Sequence, residues 1–99
     1  MSEDARRLLR ALVDVAMAEG QVEDEEAVVG VSTSPSLPVT EATGIEGDRY
    51  YDERLSAALS QLVDAGALEY EGTISGILGE PEAYKITRRG IELLREVGA

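Results

Sequence analysis

The chain contains neither histidine nor cysteine. The Ser/His and Cys/His arrangements of nucleophilic catalysis therefore cannot be built, and the commonest metal ligands and general base are missing. Gly72, Gly76 and Gly79 do not follow a phosphate-loop spacing, and the only lysine, Lys85, falls in an alternating, strand-like stretch. Carboxylates are plentiful, with twenty acids in all. A catalytic pair, however, needs a cleft that separates two pKa values, and abundance supplies no cleft. The densest acidic run, Glu23-Asp24-Glu25-Glu26, lacks the alternating ligands and central glycine of a calcium loop. The expectation is a protein that is not an enzyme and has no cofactor and no metal. What remains for chemistry is the cations: Arg6, Arg7 and Arg10, then Arg49 and Arg54, then Lys85, Arg88 and Arg89. Such groups hold phosphate or carboxylate, or simply keep a surface solvated.

The stretch that must position most of them runs from Asp48 to Leu68. Tyr51, Leu55, Ala58, Leu59 and Leu62 recur at helical spacing on one face. Asp48 suits the cap, and Gly66 suits the left-handed turn that ends such a helix. The opposite face then carries Tyr50, Glu53, Ala57, Ser60, Gln61 and Asp64, with Arg49 and Arg54 on its flanks.

Before it, Ser2 is placed to cap a first helix with Glu3 and Asp4 in its first turn. Ala5, Leu8, Leu9, Leu12, Val15 and Ala16 form its apolar stripe, widened by Val13 and Met17, and Gly20 ends it. Arg10 is spaced to pair with Asp14. Residues 21–38 read as an acidic, proline-containing loop region. Within it, Ala27 to Val31 suits either a short helix or a strand, and Ser32 to Pro38 is the most loop-like piece. A short helix capped by Thr40, with Glu41 and Ala42 inside, would end at Gly44. After Gly66, Leu68 and Tyr70 alternate with acids, and Tyr84 and Ile86 alternate with Lys85, giving two strands around a turn region from Gly72 to Pro81. Thr87 caps a closing helix with Ile91, Leu94 and Val97 inward.

Leu59-Ser-Gln-Leu-Val-Asp-Ala-Gly66-Ala-Leu68, followed by Tyr84-Lys-Ile-Thr87-Arg-Arg-Gly90-Ile-Glu-Leu-Leu94, resembles the recognition helix, wing and closing helix of a winged helix-turn-helix domain. The resemblance covers Asp48 to Val97 mainly and is similar in kind to the PadR-like and MarR-like small regulators. It implies an α+β fold in which helices pack on a small antiparallel β-wing, in one domain over residues 1–99. It also implies a transcriptional regulator that binds double-stranded DNA as a homodimer. On that reading Arg49, Tyr50, Arg54 and Gln61 on the recognition helix, and Lys85, Arg88 and Arg89 beyond the wing, contact phosphates or bases. The width of the first helix's apolar stripe would favour the dimer.

Charge pulls the other way. The net charge is −11, with −8 in Met1–Asp48 and −3 in Arg49–Ala99. A field of that sign repels a phosphate backbone. The segment from Glu71 to Ala83 carries Glu71, Glu80 and Glu82 but no basic residue, where a wing that grips DNA needs a basic tip. The alternative is an acidic winged-helix module that binds protein and not DNA, through Ile77 and Leu78 at the wing. No apolar run reaches the ~20 residues that span a bilayer, and the N-terminus does not read as a signal peptide. A cytoplasmic protein with no membrane partner is the expectation.

Overall fold

In a computed structural model the structure describes residues 1–35, 37–44, 53–73 and 82–96. Among them the chain forms α1 (Glu3–Gly20), one turn of 3₁₀ helix (Glu25–Val28), β1 (Ser32–Thr33), α2 (Leu37–Thr43), α3 (Glu53–Asp64), β2 (Leu68–Thr73), β3 (Glu82–Ile86) and α4 (Arg88–Glu96). The fold is α+β. The three strands make one antiparallel sheet in the order β1-β3-β2.

Ser2 caps α1 by accepting from the Ala5 amide at 3.1 Å. The helix runs through Gly20, and the left-handed residue is Gln21 (φ 54°) rather than the expected glycine. The shift lets the Val22 amide reach the Met17 carbonyl at 3.0 Å, which closes the helix end and returns Val22 to the core. Leu8, Leu9, Leu12 and Val13 are fully buried. The wide stripe of α1 is covered by α2, α3, the 3₁₀ turn and α4 of the same chain, so its width calls for no second copy.

Residues 21–38 are less loop-like than the sequence suggests. The acidic block opens the 3₁₀ turn, with Asp24 accepting from the Glu26 amide at 3.0 Å. Ser32 and Thr33 then pair with Lys85 and Tyr84 of β3. Helix α2 starts at Leu37, ahead of Thr40, with Pro38 in its first turn. Proline is tolerated there because first-turn amides have no intrahelical acceptor to lose. Gly44 (φ 72°) follows the last residue of α2.

Leu55, Ala58, Leu59 and Leu62 of α3 are buried, as their spacing requires; Asp48 and Tyr51 lie outside the described residues. On the sheet, Tyr70 stands opposite Tyr84, with ring centroids 5.5 Å apart. Strand β2 runs on through Gly72 and Thr73, where a turn was expected. The register shifts between Tyr70 and Gly72, and Gly72 (φ 102°) supplies the backbone conformation that a bulge of this kind needs. One core joins all these elements: Leu8, Leu12, Val39, Leu55, Leu62, Leu68, Ile86, Ile91 and Leu94 pack in a single cluster. Burying each such side chain contributes ~1.5–3 kcal/mol, which lets a mainly aliphatic core, with Tyr84 as its one aromatic among the described residues, hold a small domain together.

Candidate interaction surface

The outward face of α3 is the first place to look, because the helix is held rigidly by its buried leucines. Arg54 does not project freely from it. Its guanidinium grips Asp4 of α1 in a fork, Nη2 to Oδ1 at 2.8 Å and Nε to Oδ2 at 3.1 Å. That hydrogen-bonded fork holds the Asp4 carboxyl below its ordinary value of 3.8. Gln61 is likewise engaged, its Oε1 accepting from the Ser2 amide at 2.9 Å. Both contacts tie α3 to the first turn of α1. The remaining described outer positions are Glu53, Ser56, Ala57, Ser60 and Asp64, so the face carries two acids beside one arginine that already holds a carboxylate.

The other cations follow the same habit. Arg7 pairs with Glu3 at 2.7 Å. Arg10 binds Asp14 through Nε at 2.9 Å and Glu25 through Nη1 at 2.6 Å; the Asp14 bond, with Glu25 behind it, holds its guanidinium more firmly charged. Arg89 reaches Glu96 at 3.2 Å and Glu92 at 3.4 Å, and Arg95 reaches Glu26 at 3.3 Å. The acidic run thus works as a structural clamp, its Glu25 and Glu26 linking α1 to α4 through Arg10 and Arg95. Among the described residues Arg6, Lys85 and Arg88 make no ion pair. Lys85 is half-buried on β3 between Ser32 and Glu69, and Arg88 is exposed at the start of α4.

The predicted site residues are therefore not gathered on one surface. Arg54 and Gln61 serve the α1 contact, while Arg89, which packs beside Gly66, lies past the end of α3 opposite Arg54, roughly 18 Å from it along the helix axis. Arg49, Tyr50, Ile77 and Leu78 lie outside the described residues.

Two concave regions stand out. A cleft of about 560 Å³ between α1 and α2 brings Arg6, Arg7 and Arg10 together with Glu3, Asp14 and Glu41, a mixed lining in which most charges already have partners. A groove of about 540 Å³ separates α3 from the β2–β3 ribbon. Its floor is the buried or half-buried Leu59, Val63 and Tyr84, and its rim includes the exposed Tyr70, Asp64 and Glu82. The Tyr84 hydroxyl donates to Glu82 Oε2 at 2.6 Å, and burial, reinforced by that carboxylate, pushes the phenol well above its ordinary range. The sequence signalled the tyrosines only as strand residues; the groove exists because α3 and the ribbon meet, a non-local fact. No group of three or more potential ligands for a metal occurs among the described residues, and no described helix is long and apolar enough to cross a membrane. No protein-family model matches the chain, and neither a curated protein nor a solved structure does.

Proposed function

We propose that this chain is a winged helix-turn-helix module whose working contact is with another protein rather than with duplex DNA. The order α1-β1-α2-α3-β2-β3-α4, with β3 in the middle of the sheet, supports the winged-helix assignment. In that assignment α3 is the helix that would enter a major groove. One observation carries the choice of partner: the only cation on the described part of α3, Arg54, is forked onto Asp4. A solvent-exposed pair of this kind is weak, so a phosphate could compete for the arginine. Doing so, however, would leave Asp4 unpaired beside the DNA, on a helix face that also carries Glu53 and, at its far end, Asp64, and on a chain of net charge −11. The exchange gains one phosphate contact and adds a like-charge repulsion.

A salt titration against random duplex DNA tests the proposal. The expected result is no saturable binding even at low salt, where electrostatic attraction is strongest. Binding that weakens steeply as salt rises would instead favour a homodimeric DNA-binding regulator. That second reading draws its support from Lys85 and Arg88, which hold no carboxylate among the described residues.

A further inference from the structure

We infer that the groove between α3 and the β2–β3 ribbon receives an arginine side chain from a basic segment of a partner protein. This deepens the protein-contact reading above and rests on it. The groove has the three features that a guanidinium needs. Tyr70 offers an aromatic ring half open to solvent, at 50% exposure, and its tilted contact with Tyr84 fixes it at one edge. A planar cation stacks on such a face more readily than an ammonium does. Two carboxylates, Asp64 and Glu82, line the same space from the helix side and the ribbon side. Tyr84 occupies one oxygen of Glu82, and its other oxygen remains for a second donor. Asp64 is the last residue of α3, so the negative end of that helix also points its partial charge toward this end of the groove.

The lining holds no arginine or lysine among the described residues, unlike the cleft between α1 and α2, where cation and carboxylate already meet. The groove is therefore the described concavity whose negative charge no described cation answers. Its floor of Leu59, Val63 and Tyr84 matches the aliphatic stem of an arginine, which buries its methylenes while its head stays paired.

The test uses the intact chain and three synthetic peptides of one length. One carries spaced arginines, one has citrulline at the same positions, and one has lysine. Amide chemical shifts report the site. The arginine peptide should move the signals of Ser60, Val63, Asp64, Tyr70 and Tyr84, and citrulline should weaken binding by about tenfold or more through loss of charge-assisted hydrogen bonds. Lysine should bind more weakly than arginine, because it cannot fork or stack as well. Asp64→Asn and Glu82→Gln should each weaken the arginine peptide by about tenfold, and Tyr70→Ala by a few-fold. Glu82→Gln keeps an acceptor for Tyr84, and Tyr70 is exposed, so unchanged melting of these variants separates lost binding from lost folding. Shifts confined to Glu23–Glu26, or affinities unaffected by all three variants, would overturn the groove assignment and leave the protein-contact reading standing. Duplex DNA that binds at low salt and displaces the arginine peptide would overturn both.

Discussion

Gly90 of α4 lies so close to Ala67 that a Cβ on it would stand 2.6 Å from the Ala67 carbonyl oxygen. Thr87 sets the approach: its hydroxyl donates into the pair of carbonyls of Gly66, at 2.5 Å, and Ala67, at 2.9 Å, and accepts from the Gly90 amide at 3.0 Å. The threonine thus caps α4 and fastens it to the corner between α3 and β2. Gly90→Ala should therefore destabilise the fold by ~1–3 kcal/mol, because the clash is with backbone that cannot swing aside. It does so although alanine is the better helix former by ~1 kcal/mol. Denaturant unfolding would show it as a lower midpoint at unchanged slope. A midpoint equal to the parent's would mean that the corner relaxes freely.

The Arg54–Asp4 fork makes a prediction about acid. Asp4 has its folded pKa depressed below 3.8 by the guanidinium, so its contribution to stability is present above that ordinary value. It is lost as pH falls through the depressed folded value. Carboxyl-carbon NMR should place the Asp4 midpoint below the ordinary range, and Arg54→Gln should return it upward. An Asp4 midpoint identical in parent and variant would show that the fork does not persist in solution.

The stripe of α1 is buried within the chain, which bears on assembly. The large apolar residues that are exposed among those described, Met1, Val31 and Tyr70, are scattered rather than gathered in a patch. Sedimentation at high micromolar concentration should give a species near the 10.6 kDa of one chain. A species of twice that mass would restore the homodimer expected from the resemblance.

What the sequence made legible is what periodicity encodes. Leu55, Ala58, Leu59 and Leu62 announce the buried face of α3, the alternation around Tyr70 and Tyr84 announces the ribbon, and Thr87 announces the cap of α4. Arg10 and Asp14 were visible as a pair because four residues is one helical turn. A two-residue strand such as Ser32–Thr33 has no period to read, and Pro38 looks like a breaker until it is seen in a first turn. The contact that decides the proposed function joins Arg54 to Asp4 across 50 positions, and no local pattern foretells it. The groove escaped for the same reason, since its acids and rings come from α3, β2 and β3.

The Tyr84 hydroxyl makes the converse prediction in alkali. Burial and the Glu82 carboxylate raise its pKa above the ordinary 10.0, so the folded chain holds the phenol proton more tightly than the unfolded chain. The resulting contribution to stability is fully present below pH 10.0 and is lost as pH rises from there toward the raised folded value. The difference between parent and Tyr84→Phe isolates the effect of this one hydroxyl. Phenylalanine keeps the ring against Tyr70 and the core, and removes only the ionisable group with its bond to Glu82. Near neutral pH the variant should be less stable by ~1 kcal/mol for the lost hydrogen bond. Above about pH 10 the two stabilities should converge, since only the parent loses stability by ionising at position 84. Parallel curves through the alkaline range would mean that the hydroxyl is as well solvated folded as unfolded, and that the floor of the groove is wetter than the burial of Tyr84 implies.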